Sequence, residues 1–342
     1  MAGIRLSSVA VCLIMGLPTL VADRSSATSA PAADLPPFAY VTNQGSETVS
    51  VVDLNQMVTR STINVPGKPA GVALLPRSDQ LYVTAPEAHD IAVIDLATGA
   101  LARRIPIGGG PLGIAVNPAN GLIYVADWYS RRLVEVDPKT AAITAEIEVG
   151  QSPSGIAITP DGKFVLTADR ESDTVSIADV SHTPQLDPNI RATSIKVGSR
   201  PFGITLSLDG RLAYTANVGS DDVSIVDVAK RSVIATVPVG RRPYAIALSE
   251  DRAFVSDQYG GTVTVFDLAT NLKVATIPVG DHPEGIAFDG FRAVYVACWF
   301  DNTLVRIDAK TLKVTGKADV GDGPRAFGTF LGYHGPQRVS PQ

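Results

Sequence analysis

The sequence contains few cysteine and histidine residues, with two cysteines and four histidines in 342 residues. Structural zinc sites combine several Cys and His ligands at short spacings, and this composition cannot build such clusters. The two cysteines are Cys12 and Cys298, and Cys12 lies in a segment that we expect to be removed. The sequence therefore argues against zinc-cluster chemistry and predicts a mature protein without an intrachain disulfide.

Charged residues are also scarce, at 18% of the chain, and their balance is acidic. The 29 Lys and Arg residues against 34 Asp and Glu residues give a formal net charge of −5. A protein with this balance has no global positive field to attract nucleic acid or anionic lipid. The charge pattern therefore argues against a nucleic-acid partner.

Long apolar runs are missing except at the N-terminus, where Leu6 to Val21 follow the positively charged Arg5. Ser, Gly and Pro interrupt this run, so it is too short to span a bilayer reliably, and small residues follow it. We predict a signal peptide and processing region at residues 1–33, with cleavage between about 22 and 33, and a short tether at residues 34–37. The mature protein is then periplasmic or secreted and has no transmembrane segment.

Glycine and proline are frequent, and the rest of the chain repeats itself seven times with a period near 40 residues. Each repeat opens a short strand at an aromatic or apolar residue: Tyr40, Tyr82, Tyr124, Leu166, Tyr214, Phe254 and Tyr295. Thirteen positions later each repeat has an Asp: Asp53, Asp95, Asp137, Asp179, Asp227, Asp267 and Asp308. A Pro that leads into a further apolar stretch recurs at Pro69, Pro111, Pro153, Pro201, Pro243, Pro283 and Pro324. Strand-like repeats of this length are typical of propeller blades.

We therefore predict an all-β protein, a seven-bladed β-propeller with four-stranded blades over residues 38–331. The repeats begin with a second strand and end with a first strand, near Ala326 to Leu331. The C-terminal strand is expected to complete the N-terminal blade and close the ring, which removes exposed sheet edges. Residues 332–342 form a C-terminal tail. The seven repeated Asp side chains are interpreted as turn formers that accept backbone N–H bonds.

The segment Tyr40-Val41-Thr42-Asn43 is the signature of the YVTN-type β-propeller repeat proteins, and variants of it follow Tyr124, Tyr214 and Tyr295. The sequence thus resembles this family of bacterial exported propellers over residues 38–331. The resemblance implies the propeller fold. It implies no single activity, because such propellers include surface-layer proteins, nucleic-acid binders, lyase-like enzymes and accessory proteins of periplasmic quinoprotein systems.

A single functional site is expected where equivalent positions of the repeats differ, because residues common to all repeats serve the shared architecture. In a propeller, the linkers between blades and the loops joining strands two and three lie on one face, here called the loop-rich face. Three positions of each repeat should reach it: the residue after the linker Pro (first ring), the residue ending strand two (second ring) and the next residue (third ring). From these rings we select ten ligand-binding candidates: Asp127, Trp128, Asp169, Arg170, Asn217, Tyr244, Asp257, Glu284, Trp299 and Arg325.

Both tryptophans of the protein, Trp128 and Trp299, occupy the third ring. Two indoles with carboxylates between them suit a ligand that has an apolar body and polar handles. The structural alternatives are that Asp and Asn at strand ends cap their loops and that each Trp packs on its own blade linker.

No catalytic residue is identified, because the two histidines expected on the loop-rich face, His89 and His282, lie in blades that are not adjacent. No cofactor is predicted. A Ca²⁺ ion bound by Asp127, Asp169 and Asp257 with Asn217 is the alternative, although the ring spacing is wide for coordination at roughly 2.3–2.6 Å.

The sequence therefore favours an exported, non-catalytic binding or scaffold protein that holds a small molecule or a protein on its loop-rich face and acts as a monomer. One alternative is a propeller hydrolase or lyase, lactonase-like or streptogramin-lyase-like. The other is an accessory protein of a periplasmic quinoprotein dehydrogenase system.

Overall fold

The strands that the computed structural model describes lie within one unit of the chain, residues 35–342. The structure describes residues 1, 3, 37–75, 77–181 and 191–334. The predicted processing region, most of the tether and most of the tail lie outside the described residues. Within the described ranges, no helix is long and apolar enough to cross a membrane.

The strands form seven sheets, which are the blades of the predicted propeller. Apart from the closing strands, blade 1 contains β1 (Phe38–Asn43), β2 (Thr48–Asp53) and β3 (Val58–Asn64), and blade 2 contains β4 (Gly71–Ala73), β5 (Gln80–Ala85), β6 (Asp90–Asp95) and β7 (Ala100–Pro106). Blades 3 and 4 contain β8 (Pro111–Val116), β9 (Ile123–Asp127), β10 (Arg132–Asp137), β11 (Ala142–Glu148), β12 (Pro153–Ile158), β13 (Phe164–Asp169), β14 (Thr174–Asp179) and β15 (Thr193–Lys196). Blades 5 and 6 contain β16 (Pro201–Leu206), β17 (Leu212–Asn217), β18 (Asp222–Asp227), β19 (Ser232–Pro238), β20 (Pro243–Leu248), β21 (Arg252–Asp257), β22 (Thr262–Asp267) and β23 (Lys273–Pro278). Blade 7 and the closing strands are β24 (Pro283–Phe288), β25 (Ala293–Cys298), β26 (Thr303–Asp308), β27 (Lys313–Asp319), β28 (Phe327–Gly328) and β29 (Leu331–Gly332).

The two middle strands of each blade are buried on both faces, because a neighbouring blade covers each face of the sheet. Strand β5, for example, is buried from Leu81 to Ala85, and strand β6 from Asp90 to Ile94. The outermost strand lies at the rim, where β3 alternates between exposed and partly covered residues. This difference explains why the middle strands are continuous apolar runs while the outer strands alternate.

Adjacent blades are joined near the axis by side-chain hydroxyls that donate to main-chain carbonyls. The Thr42 hydroxyl donates to the Ala70 carbonyl at 2.8 Å, and the Thr84 hydroxyl donates to the Leu112 carbonyl at 2.7 Å. Ser154 and Ser256 make the same kind of bond to the carbonyls of Phe202 and Glu284. These bonds hold the innermost strands at a fixed separation around the ring.

The seven repeated Asp residues are turn formers, as the sequence predicts. The Asp53 carboxylate accepts the backbone N–H groups of Asn55 and Gln56, each at 3.0 Å. The other six carboxylates accept backbone N–H groups two or three residues further along the chain. They therefore stabilise the hairpin that follows the third strand of each blade.

The C-terminal segment Pro324–Gly332 closes the ring, and the predicted closure is confirmed. The Arg325 N–H donates to the Thr42 carbonyl at 2.7 Å, and the Tyr40 N–H donates to the Phe330 carbonyl at 2.8 Å. Strand β29 pairs antiparallel with β1, so that the C-terminus completes the blade opened by the N-terminus.

The closing segment differs from the single strand expected over residues 326–331. Its middle part, β28, leaves blade 1 and pairs in parallel with β4 of blade 2. Gly328 permits this path because its φ is 124° and a Cβ there would lie 2.4 Å from the Val72 carbonyl oxygen. The same segment therefore joins two blades.

We expect a chain lacking residues 324–342 to lose cooperative unfolding and to aggregate, because β1 and β4 would both have an unpaired edge. The matched control is a chain that lacks only residues 335–342 and keeps every closing contact described above. Thermal unfolding and size-exclusion chromatography of the two chains measure the effect. Equal melting temperatures and elution volumes for the two truncations would show that the C-terminal segment does not close the ring.

Candidate functional site

A cavity of about 380 Å³ lies on the loop-rich face, where linkers and strand-two loops from several blades meet. The third ring supplies six of its lining residues: Gln44, Pro86, Trp128, Arg170, Val218 and Gln258. The first ring supplies four: Leu112, Phe202, Tyr244 and Arg325. The remaining lining residues are Gly110, Tyr129 and Arg242. Four of the ten predicted site residues therefore meet in one cavity: Trp128, Arg170, Tyr244 and Arg325.

Aromatic rings form one wall of the cavity. The ring centroids of Phe202 and Tyr244 are 4.4 Å apart, and Trp128 lies 6.2 Å from Phe202. Phe327 of β28 contacts both Phe202 and Tyr244, at 5.1 and 5.6 Å. These contacts come from blades 3, 5 and 6 and from the closing segment, so they hold the wall rigid.

Each of the three cavity arginines lies over an aromatic ring. Arg170 is 5.8 Å from the Trp128 ring centroid, Arg242 is 4.3 Å from Tyr259, and Arg325 is 5.0 Å from Trp299. Cation–π contacts of this kind attract a guanidinium to the ring face and restrict its orientation. The cavity is thus lined by three oriented cations.

Glu284 lies behind the cavity surface and is almost fully buried. One carboxylate oxygen is 3.1 Å from Arg325 Nε, and the other accepts a hydrogen bond from Gln258 at 2.8 Å. Burial raises the pKa of Glu284, and the neighbouring Arg325 partly offsets this rise. Glu284 therefore positions two lining side chains rather than lining the cavity itself.

Four predicted site residues of the second ring do not line the cavity: Asp127, Asp169, Asn217 and Asp257. All four are fully buried and bonded to their own loops and strands. Asp127 accepts the Gly110 N–H at 2.9 Å and pairs with Arg132 Nε at 3.0 Å. Asp257 accepts the Gly240 N–H at 3.0 Å and the hydroxyls of two threonines of its own blade. We interpret this ring as structural, as the loop-cap alternative has it.

The second and third rings differ because adjacent residues at a strand end point in opposite directions. Asp127 turns back into its blade, while Trp128, the next residue, reaches the cavity. The four second-ring side chains are bonded in separate blades, so they do not converge on one ion. Within the described ranges, no group of three or more His, Cys, Asp or Glu side chains is arranged to hold a metal.

Trp299, the tenth predicted residue, is half-buried and lies beside the cavity rather than in its lining. A Cβ on Gly323 of the closing linker would be 3.0 Å from the Trp299 ring. The indole thus packs on a blade linker and supports Arg325 through the stacking contact described above. Trp299 therefore packs on a blade linker, as the structural alternative states, and it also supports a side chain of the cavity lining.

The histidines of the loop-rich face do not reach the cavity lining. His282 Nδ1 is 2.6 Å from the Asp281 carboxylate, and its ring lies between Tyr259 and Phe300. His89 Nδ1 is 2.5 Å from the Gly109 carbonyl oxygen. Cys298 is buried, and burial raises the pKa of its thiol to about 12, which keeps it protonated at neutral pH.

Nine lining residues are missing from the predicted site, among them Phe202 and Arg242, and so is the supporting ring of Phe327. Phe202 belongs to the first ring, and its aromatic side chain is the signal that marks it. Arg242 precedes a linker Pro, a position with the varied residues Lys68, Gly110, Ser152, Arg200, Arg242, His282 and Gly323. Arg242 has a φ of 53°, a left-handed conformation that recurs at this position of the repeat in Lys68, Ser152, Arg200, His282 and Gly323. Phe327 depends on the path of β28.

The buried carboxyl of Asp169 provides a pH test of the structural role of the second ring. Burial raises its pKa to about 6, against the lowering effect of hydrogen bonds from Ser176, Thr167 and Thr174. Because the folded protein holds this proton to higher pH than the unfolded chain, the group's contribution to stability is lost as pH rises from about 4 through 6. A shift of this size corresponds to at most about 3 kcal/mol of unfolding free energy.

We expect Asp169→Asn to remove this pH-dependent component, because an amide does not titrate. The variant should still fold, since blades 1 and 5 carry Asn43 and Asn217 at the same position. Urea unfolding of both proteins between pH 4 and 7 measures it, and the stability difference in favour of the variant should grow with pH. Asp127→Asn is the control of opposite sign, because hydrogen bonds from Gly110, Ser130 and Arg132 overcome burial and lower the Asp127 pKa. A stability difference for Asp169→Asn that does not change with pH would contradict the assignment.

Comparison with known proteins agrees with this architecture. A functionally unknown protein from Desulfotomaculum acetoxidans DSM 771 superposes with a TM-score of 0.71 at 16% identity, covering 84% of this chain and 99% of that chain. Hydrazine synthase from Kuenenia stuttgartiensis superposes with a TM-score of 0.50 at 19% identity, covering 71% of this chain and 96% of that chain. At these identities the likeness concerns the fold alone. No curated protein sequence matches the chain significantly.

The sequence of residues 100–291 matches the family of YNCE-like beta-propellers. This match spans more than half of the chain and agrees with the YVTN-type repeats of the sequence. The chain therefore belongs to the YNCE-like β-propeller family.

Proposed function

We propose that this chain is an exported, non-catalytic binding protein that holds its ligand or protein partner in the central cavity of the loop-rich face. The observation that carries the proposal is the composition of the cavity lining. Its side chains come from positions that differ between repeats, whereas the residues common to the repeats form turns and strands. A repeat protein that binds one partner is expected to bind it at the surface where equivalent residues of its repeats differ.

The rigidity of the lining supports binding rather than a purely mechanical role. The aromatic wall and the three stacked arginines are held by contacts with other side chains of the protein. A site that needs little ordering on binding retains more of its interaction free energy as affinity. An apolar wall with a few fixed polar groups is also the usual composition of small-molecule sites.

Export and a monomeric state complete the proposal. Export is supported by the sequence of residues 1–33, which has the charge, apolar run and small residues of a signal peptide. The monomeric state is supported by the closure of the ring, which pairs the strands that would otherwise form open edges.

We expect Trp128→Ala to weaken ligand binding by about 1–3 kcal/mol, the usual effect of removing an aromatic anchor. The purified protein is screened against a mixed metabolite library by thermal shift, and the compounds found are titrated by calorimetry into the wild type and the variant. Phe291→Ala is the matched control, because Phe291 is an aromatic residue that is 61% exposed and lies outside the cavity.

Binding that is weakened by Trp128→Ala and unchanged by Phe291→Ala supports the cavity as the site. Binding that is unchanged by Trp128→Ala in a folded protein would place the site elsewhere. A library with compounds of every charge that yields no ligand would contradict a small-molecule binding role.

A further inference from the structure

We infer that the cavity selects a small organic anion with one negative charge and a flat ring, such as an aromatic monocarboxylate. This inference rests on the proposed function, since it names the ligand class of the same cavity. It is carried by three observations: the charge balance of the cavity, the state of Arg242 and the shape of the apolar wall.

The charge of the cavity wall has one sign. Three arginines line it, and no carboxylate does. Two of the three guanidiniums have acidic partners: Arg325 pairs with the buried Glu284, and Arg170 Nη1 lies 2.5 Å from the Glu171 carboxylate at the rim. Protonation of Glu284 would add to the positive charge of the wall and would not remove it.

Arg242 is the lining arginine whose positive charge is not balanced by a carboxylate of the described ranges. It forms no ion pair with a carboxylate of the described ranges, and its Nε, although buried, has no hydrogen-bond partner there. Its backbone N–H donates a hydrogen bond to the Asp221 carboxylate at 2.7 Å, while the guanidinium lies over the Tyr259 ring. A guanidinium is always charged and presents paired donors that match a carboxylate. The single uncompensated positive charge of Arg242 therefore matches a ligand with one negative charge.

The aromatic wall fits a flat apolar body. Phe202, Tyr244 and Trp128 present rings that are already packed on one another, and Leu112 and Val218 complete the apolar lining. A dry cavity of about 150 Å³ is known to accept benzene, so about 380 Å³ accommodates one or two rings with a carboxylate. Phosphate monoesters and polyanions carry more than one negative charge and would need more than one uncompensated cation.

The test compares three probes of nearly equal shape by calorimetric titration: 2-naphthoate, the neutral 2-naphthamide and the cationic 2-naphthylmethylamine. We expect naphthoate to bind at least about tenfold more tightly than the amide, because a charge-assisted hydrogen bond is lost in the amide. Arg242→Gln should weaken naphthoate by a similar factor and leave the amide unchanged.

Arg241→Gln is the matched control, because Arg241 is the neighbouring arginine, is exposed and does not line the cavity. Equal binding of naphthoate and naphthamide, preferred binding of the amine, or equal effects of the two arginine variants would overturn the ligand class. Absence of binding by all three probes would also overturn it. If the amide or the amine binds and Trp128→Ala weakens that binding, the cavity remains a binding site and only its preference for an anion is refuted.

Discussion

Closure of the ring is the constraint on which the rest of this structure depends. Both faces of a propeller blade are buried only when a neighbouring blade lies on each of them. The seven blades are therefore stable together and not one by one. In this chain the closure depends on a few hydrogen bonds between Pro324–Gly332 and the strands β1 and β4. Among the described residues no disulfide reinforces it, because Cys298 is a free thiol.

The closing segment also builds the cavity. Arg325 lines it, and Phe327, two residues further on, supports the rings of Phe202 and Tyr244. The geometry of the cavity is therefore set by the same contacts that hold the ends of the chain together. Loosening of the closure is expected to disturb the aromatic wall before it disturbs the outer strands of the blades.

The fold was predictable because its signal is repeated. Seven copies of one pattern identify the blades, the turn-forming Asp residues and the closing strand, and the resemblance at Tyr40-Val41-Thr42-Asn43 agrees with them. The crossing of β28 to blade 2 was not predictable, since it depends on the φ of Gly328 and on the position of Val72 in a distant part of the sequence.

The cavity lining was predictable in part, and the rest was not for a physical reason. Six of the seven third-ring residues line the cavity, although only Trp128 and Arg170 of these six were selected as candidates. The selected second-ring residues lie outside the lining, and the sequence contains a sign of their bonding. Asn43, Asp169, Asn217 and Asp257 each have a Ser or Thr seven residues later, which their side chains contact, whereas Ala85 and Cys298 are followed at that distance by Ala92 and Val305. Arg242 was missed because the orientation of its guanidinium depends on the contact with the Tyr259 ring.

Native-state hydrogen exchange of the closing segment tests the central claim most directly. If Pro324–Gly332 closes the ring, peptides that contain the amides of Arg325 and Tyr40 should be as strongly protected as those from the central strands β10 and β18. Their exchange would then require unfolding of the whole propeller. Rapid exchange at Arg325 and Tyr40 while β10 and β18 remain protected would show an open ring and would contradict the account.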